Sequence, residues 1–283
     1  MTTEARGDRE AARARTVRAA ALVVRLAAVV LAVSIVSGCS SIQKRAPVPE
    51  AAVTLATIPG IPDARMWADG APPALDFLYT SSRAELRKRY AGVFGTEHHY
   101  LAVSGGGEDG AFGAGLLAGW TASGTRPEFT MVTGVSTGAI IAPFAFLGPE
   151  WDGKLEEAYT QHRSKDLFKS AGVRLAFRWD AAASSRPMQE LIARYMTAEM
   201  LAAIAVEHRK GRRLLIGTTN LDAGRPVLWD LGAIAASGSP DALELARQVI
   251  LASASIPGAV PPVYFEVVAD GVRYDEMHVD GGT

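Results

Sequence analysis

The sequence predicts an α/β protein in which helices are layered on a central sheet. Short apolar runs bounded by turn residues alternate with longer segments in which apolar residues recur at helical spacing. This alternation is typical of an α/β sheet, because buried strands need helices to cover them. The composition agrees, since a chain of 283 residues with 48% hydrophobic and 21% charged side chains is that of a globular protein.

The predicted elements follow one another closely from Tyr100 onward. The predicted strands are 100–103, 129–132, 213–218, 226–229, 263–268 and 271–274, and the predicted helices are 111–120, 137–147, 185–200 and 243–252. Upstream, residues 75–90 predict a short amphipathic helix, and Gly92 and Gly95 mark a turn after it. The main domain is therefore expected to span residues 98–283.

The N-terminus has the organisation of a targeting segment. An arginine-rich stretch precedes the apolar run Leu26 to Val36, which is too short to span a bilayer of about 30 Å comfortably. Ser37 and Gly38 then precede Cys39, the single cysteine of the chain, so no internal disulfide is expected. The segment resembles a bacterial lipobox, which implies that residues 1–38 are a signal peptide and that a lipidated Cys39 anchors the protein to a membrane of the cell envelope. An ordinary signal peptide and an uncleaved anchor are the alternatives.

The region between Cys39 and the main domain is rich in proline, alanine and glycine up to Pro73. Proline suppresses regular helix, so residues 39–97 are predicted to form a tether that ends in the short helix. Six basic and three acidic residues precede Cys39, which leaves 23 basic and 27 acidic side chains after it. This mildly acidic balance gives no reason to expect nucleic acid as a partner.

A G-x-S-x-G motif, formed by Gly134, Ser136 and Gly138, lies between a predicted strand and a predicted helix. This context is typical of a nucleophile elbow, in which glycine neighbours let the backbone turn sharply and expose the serine hydroxyl. The N-terminus of the following helix favours negative charge that develops there. A glycine-rich start of a helix with a capping serine is the alternative.

A second glycine-rich loop, Ser104 to Gly110, also joins a predicted strand to a predicted helix. Its backbone N–H groups are predicted to form an oxyanion hole, with candidate positions Gly105, Gly106, Gly107 and Gly110. A plain tight turn and a dinucleotide-binding loop of the form G-x-G-x-x-G are the alternatives. A dinucleotide-binding site typically has an acidic residue at the end of the next strand. In this sequence that strand ends at the Ser136 motif instead, which argues against the dinucleotide-binding alternative.

Asp280 is followed by two glycines near the end of the chain. A carboxylate held on such a turn can act as a general base toward a serine hydroxyl, or orient one. By itself, the same triplet is more typical of a hairpin turn.

The three motifs in this order resemble those of the patatin-like phospholipase family, here in the form of a bacterial lipoprotein. The resemblance covers residues 100–283, and Ala254 to Pro257 with Pro261 and Pro262 resembles the segment before the family's aspartate motif. It implies a three-layer α/β/α fold with a mainly parallel central sheet and a Ser136–Asp280 dyad without histidine. It further implies lipid or phospholipid acyl esters as substrates, and neither metal nor cofactor.

The sequence departs from the family pattern in two places. Asp109 stands where the family usually has a basic residue, which puts a preference for anionic headgroups in doubt. The sequence also reaches Thr283 only three residues after Asp280, where the family normally continues, so whether the domain is truncated stays open.

Two other functions remain open at this stage. The first is an α/β-hydrolase esterase in which His278, with Asp270 or Asp275, completes a triad with Ser136. The second is a lipoprotein that binds lipid or a protein partner without catalysis.

The remaining histidines show no metal-ligand spacing beyond one adjacent pair: His98, His99, His162 and His208. Three aromatic residues are candidates for an apolar lip or for core positions: Trp151, Phe177 and Trp179. The sequence does not predict an oligomeric state.

Overall fold

A mixed sheet of seven strands forms the centre of the computed structural model, which describes residues 45–70, 79–161 and 185–283. Strand β4 is the central member: β5 and then β1 lie on one side of it, and β3 and then β2 lie on the other, while β7 also pairs with β4 and β6 with β7. The strands are β1 (Arg65–Trp67), β2 (Tyr100–Val103), β3 (Met131–Val135), β4 (Arg213–Asn220), β5 (Arg225–Asp230), β6 (Val263–Ala269) and β7 (Val272–Asp280).

Among the seven strands, β3 pairs in parallel with β2 and with β4, and the other four strand pairs are antiparallel. The α/β class is confirmed, but the expectation of a mainly parallel sheet is corrected. The physical reason is the length of two connections, because short turns join only antiparallel strands. Asp270 and Gly271, both with positive φ, connect β6 to β7, and Gly224, with φ of 62°, is the last residue of the four-residue turn from β4 to β5. The three-layer arrangement stays a prediction.

Eight α-helices accompany the sheet in the described ranges. They are α1 (Arg83–Arg89), α2 (Gly110–Ala122), α3 (Thr137–Leu147), α4 (Asp152–Gln161), α5 (Arg186–Tyr195), α6 (Ala198–Arg209), α7 (Leu231–Ala236) and α8 (Ala242–Ser253). Helices α3, α6, α7 and α8 contact β4. The core between them is apolar and fully buried, and it includes Phe144, Ile204, Ile216 and Trp229. Within the described ranges, no helix is both long enough and apolar enough to cross a membrane.

The structure divides one predicted helix and adds two. The segment predicted as one helix over 185–200 contains the end of α5 at Tyr195 and the start of α6 at Ala198. Thr197 separates them, because its hydroxyl accepts a hydrogen bond from the Met200 N–H at 3.2 Å and caps α6. Helices α4 and α7 were not predicted.

Residues 46–67, which fall in the predicted tether, pack onto the sheet. Ile58, Ile61 and Ala64 are buried, and β1 pairs with β5. These residues belong to the compact unit Ala46–Thr283. Cys39 lies outside the described residues.

Arg212, directly before β4, contacts the segment before β3, helix α3 and helix α6. Its side chain is 4% exposed and donates hydrogen bonds to the carbonyl oxygens of Phe129 (2.8 Å) and Phe146, while it pairs with Glu207 at 3.0 Å. The guanidinium also lies over the Phe146 ring, 4.4 Å from its centroid. One buried cation therefore links the segment before β4 to the carbonyl groups of Phe129 and Phe146, in addition to the backbone pairing of β3 with β4.

We predict that Arg212→Met lowers the free energy of unfolding by about 3 kcal/mol, because it leaves two buried carbonyl groups without their donor and Glu207 with Lys210 as its remaining partner. Urea unfolding followed by circular dichroism measures this change. Arg209→Met is the matched control, since Arg209 is exposed on the neighbouring helix, and its effect should stay within about 0.5 kcal/mol. Equal losses in both variants would show that the buried contacts of Arg212 are not what stabilises the protein.

Candidate active site

Ser136 occupies a sharp turn between β3 and α3. Its backbone has φ of 57° and ψ of −127°, a strained conformation for a residue with a side chain, and the residue is 8% exposed. The glycines of the motif are required by close contacts: a Cβ at Gly138 would lie 2.2 Å from the Val103 carbonyl oxygen, and one at Gly134 would lie 2.4 Å from the Gly138 carbonyl oxygen. The strand, turn and helix predicted around this motif are therefore present, with the geometry of a nucleophile elbow.

The glycine-rich loop after β2 passes directly against this turn. A Cβ at Gly105 would lie 2.8 Å from the Ser136 Cβ, so only glycine fits there. Gly107 has φ of 56°, and a Cβ at Gly110 would lie 2.3 Å from the Thr137 hydroxyl oxygen. The sequence motifs at residues 104–110 and 134–138 are thus packed against each other.

Asp109 and Gly106 lie on the outer side of this loop. Both are exposed, and the Asp109 Cβ is 3.4 Å from where a Cβ of Gly106 would stand. The position that is usually basic in the family therefore carries a solvent-facing carboxylate close to the predicted oxyanion loop.

Strand β4 brings Asp280 to the end of β3. The β3–β4 pairing ends with Val135 opposite Gly217, and the β7–β4 pairing has Asp280 opposite Thr218, the next residue of β4. A Cβ at Gly281 would lie 2.5 Å from the Gly217 carbonyl oxygen, so the chain after Asp280 also needs glycine. Val135, which precedes Ser136, and Asp280 are therefore paired with adjacent residues of β4, Gly217 and Thr218.

The Asp280 carboxylate is buried and only partly hydrogen-bonded. It is 6% exposed, and its Oδ1 accepts a hydrogen bond from the Gly282 N–H at 2.8 Å. Its Oδ2 is buried and has no hydrogen-bond partner among the described residues. A buried carboxylate oxygen without a hydrogen bond destabilises the fold, so its presence calls for an explanation. A role as proton acceptor would explain it, and Oδ2 is therefore a candidate for that role.

Ser253 is a site residue that the sequence analysis missed. The backbone N–H of Ser136 donates to the Ser253 hydroxyl at 3.0 Å, and that hydroxyl donates to the Gly217 carbonyl at 2.6 Å. Ser253 is fully buried at the end of α8. The available signal was a serine at the end of an otherwise apolar stretch of helix, directly before the segment from Ala254 to Pro257.

Thr137, the first residue of α3, is held by Tyr159 of α4. Their hydroxyl oxygens are 2.9 Å apart. Burial raises the pKa of the Tyr159 phenol above its ordinary value of 10.0, although the bond to Thr137 opposes that shift. The phenol is therefore protonated at neutral pH and locks the start of α3 against α4.

His278 belongs to a buried network next to the site. Its ring is fully buried, with Nδ1 2.9 Å from the Thr218 hydroxyl and Nε2 3.2 Å from Glu276. The ionised Glu276 carboxylate can only accept, so the ring proton of neutral His278 is on Nε2 and Nδ1 accepts from the Thr218 hydroxyl, which itself accepts from the Trp229 indole N–H at 2.8 Å. Glu276 in turn pairs with Arg65.

The pKa values of this network favour a neutral histidine beside a carboxylate. Burial lowers the pKa of His278, and the opposing hydrogen bond to Glu276 does not restore it. Burial raises the pKa of Glu276, but hydrogen bonds from His278 and Arg65 outweigh burial and bring it below its ordinary value of 4.5.

The triad alternative is not assembled by these residues. Both ring nitrogens of His278 are engaged by Thr218 and Glu276. Asp270 lies in the turn between β6 and β7, and Asp275 accepts a hydrogen bond from the Ala46 N–H. No hydrogen bond in the described ranges joins His278 to Ser136 or to either aspartate.

The other singled-out residues lie away from this site or outside the described ranges. Trp151 packs partly buried against the core, with the Lys154 ammonium 4.4 Å from its ring centroid. His98 lies 3.3 Å from the Thr130 hydroxyl, and His208 is next to Asp230 at 3.5 Å. Outside the described residues are His162, Phe177 and Trp179.

Comparison with known proteins identifies the class to which this fold and site belong. Residues 101–283 match the family described as patatin-like phospholipase. The chain therefore belongs to the patatin-like phospholipase family, a family of lipid hydrolases.

Among solved structures, the chain is similar to VipD from Legionella pneumophila, with 15% sequence identity and a TM-score of 0.42. The similarity covers 66% of this chain and 46% of VipD, so the chain spans about half the length of that protein. No curated protein matches the sequence.

We predict that Ser253→Ala loosens the elbow, because the Ser136 N–H loses its acceptor in a buried place at a cost of about 1–2 kcal/mol. Hydrogen exchange of the peptide that contains Ser136 should accelerate. Ser255→Ala is the matched control: Ser255 is equally buried, but its hydroxyl bonds to Leu251 one turn earlier in the chain. Unchanged exchange in Ser253→Ala would contradict the assigned role.

We predict that stability falls with acidification through His278. Because its folded pKa is lowered, its contribution is present above the unfolded pKa of about 6.5 and is lost progressively as pH falls from that value toward the folded pKa. The free energy of unfolding should drop by up to about 1.4 kcal/mol per pH unit in that range. Urea unfolding at pH 7.5 and 5.5 measures the drop, which His278→Gln should reduce. His98→Gln, at an exposed histidine, should keep it, and equal pH dependence in all three proteins would exclude His278 as its source.

Proposed function

We propose that this protein is a serine acyl hydrolase that cleaves lipid acyl esters with Ser136 as nucleophile and Asp280 as its base. The observation that carries the proposal is the register of β4, which puts Asp280 opposite Thr218 and the residue before Ser136 opposite Gly217. The strained Ser136 backbone and the unpartnered Asp280 Oδ2 support it.

In the first step, the Ser136 hydroxyl attacks the ester carbonyl carbon. A bond forms between Oγ and that carbon, the carbonyl electron pair moves to oxygen, and the Ser136 proton passes to Asp280 Oδ2. The tetrahedral intermediate then expels the alcohol, which takes the proton from Asp280. The products are the released alcohol, such as a lysophospholipid, and an acyl group on Ser136.

The oxyanion in this step needs donors that are already in place. The glycine loop at Gly105, Gly106, Gly107 and Gly110 is the proposed source, together with the N-terminus of α3, whose first N–H groups have no partner within the helix. The positive end of the α3 dipole favours the same charge. Contact of Gly105 with Ser136 supports this placement.

In the second step, water hydrolyses the acyl-enzyme. Asp280 takes a proton from water as the water oxygen bonds to the acyl carbon, and the collapse of the intermediate returns the proton to Ser136 Oγ. A free fatty acid leaves, and both residues regain their starting states. These steps require no metal and no cofactor.

We further propose that the protein acts at a membrane of the bacterial cell envelope, held there by diacylglycerol on Cys39. The basic segment, the short apolar run and the small residues before Cys39 support this proposal. Lipid on the N-terminus keeps the enzyme near its substrate even when the domain itself is off the membrane.

We predict that a fluorophosphonate probe labels the full-length wild-type protein but neither Ser136→Ala nor Asp280→Asn. Loss of the serine removes the bond-forming atom, and loss of the carboxylate should lower the labelling rate by about 10²-fold or more. In-gel fluorescence measures labelling, and circular dichroism establishes that each variant is folded.

His278→Gln separates this function from its alternatives. Under the dyad, a folded His278→Gln protein keeps its labelling, because His278 is bonded to Thr218 and Glu276. Loss of labelling in that folded variant would favour the triad esterase. A folded wild-type protein that takes up no probe and hydrolyses no phospholipid would favour the lipoprotein that binds without catalysis.

A further inference from the structure

Helix α2 has an outward face that is entirely apolar. Phe112 is 75% exposed and Leu116, one turn later, is 55% exposed. Gly115 and Gly119 lie on the same exposed side, and with Trp120 they form a shallow groove beside the two large side chains. The opposite side of the helix is buried through Ala114 and Leu117.

This pattern is unusual for a helix that faces water. Residues 110–122 contain no charged side chain, so α2 is apolar on its outer side as well as on its inner side. Helix α5 shows the ordinary case, with Met188 and Leu191 buried and Arg186 and Glu190 outside. A helix that is apolar all round is typical of full burial, and exposed apolar patches mark interaction surfaces.

The apolar face begins next to the candidate active site. Helix α2 follows the glycine loop without a break, and its first residue, Gly110, packs on Thr137 of the elbow. Phe112 comes two residues later. Ser104, Gly105 and Gly106 of the loop are exposed, so any surface that covers the outer face of α2 also lies near the entrance to Ser136.

We propose that the outer face of α2, formed by Phe112, Gly115, Leu116 and Gly119, docks into the boundary between headgroups and acyl chains of a lipid bilayer. The choice of a lipid surface rests on the proposed function, since the substrate of the neighbouring site must leave a membrane. The side chains of these four residues carry no hydrogen-bond donor or acceptor, and acyl chains require none.

The charges around this face point to electrically neutral headgroups. Glu108 and Asp109 are exposed at the start of the helix, and residues 100–125 contain no lysine or arginine. The next basic residue, Arg126, is buried and paired with Asp152 at 2.7 Å. Along residues 100–125, anionic lipids would meet acidic side chains only, so we expect that added anionic lipid does not strengthen docking on phosphatidylcholine.

The single natural cysteine makes a direct test possible. In a full-length Cys39→Ser background, Phe112→Cys is labelled with an environment-sensitive fluorophore and mixed with phosphatidylcholine vesicles. Val272→Cys is the matched control, because Val272 is 51% exposed but lies at the other end of β7, about 26 Å of strand from Asp280. Since both proteins keep the same N-terminal segment, only a docked α2 face distinguishes the two labels.

We expect a blue shift at position 112 and quenching by lipids that carry a spin label near the headgroup, with neither effect at position 272. An unshifted label at position 112 in the presence of vesicles would overturn the proposal. So would a blue shift without vesicles that grows with protein concentration, because a second copy of the chain would then cover the face.

Hydrolysis assays keep this proposal separate from the proposed function. Phe112→Ser combined with Leu116→Ser should lower hydrolysis of phosphatidylcholine vesicles about tenfold or more, since both apolar side chains lose their transfer into lipid. The same variant should hydrolyse a soluble short-chain ester at the wild-type rate. Wild-type protein that cleaves neither substrate would contradict the proposed function, while the fluorescence at position 112 would still decide docking.

Discussion

The candidate site depends on how strand β4 divides its hydrogen bonds. One edge of β4 is occupied by β5 over residues 215–220, so β3 and β7 must share the other edge. Strand β3 pairs in parallel with residues 213–217 of β4, and β7 pairs antiparallel with residues 218–220. Val135, the residue before Ser136, and Asp280 therefore lie beside adjacent residues of β4, although 144 positions separate Ser136 from Asp280 in the sequence.

Backbones at this junction lie too close together for side chains. Glycine at positions 105, 138 and 281 lets the loop, the elbow and the last turn approach within contact of neighbouring backbone or of Ser136. Around them, buried polar groups are paired in fixed directions: Ser253 holds the Ser136 N–H, and Thr218 holds His278. Close packing and paired polar groups leave such a site little freedom to rearrange, as the proposed oxyanion hole would require.

The same site shows two different uses of buried polar groups. The Glu276, His278 and Arg65 cluster is fully paired and keeps its charges compensated, whereas Asp280 Oδ2 is buried without a partner. The paired cluster lies at the end of β7, and the unpaired oxygen is the proton acceptor of the proposed mechanism. Helix α2 adds an apolar surface at the entrance, so the polar chemistry is proposed to lie directly behind a lipid-facing side.

The sequence alone determined the local features of this protein. Gly134, Ser136 and Gly138 between an apolar strand and an apolar helix predicted the elbow, because turn geometry and helix periodicity are short-range properties. The order of motifs predicted the family, which the match over 101–283 confirmed. Only the tertiary structure decided the mixed sheet, the position of Asp280 opposite Thr218 of β4, the buried bonds of His278 and the hydrogen bonds of Ser253, since each depends on contacts between residues far apart in the chain.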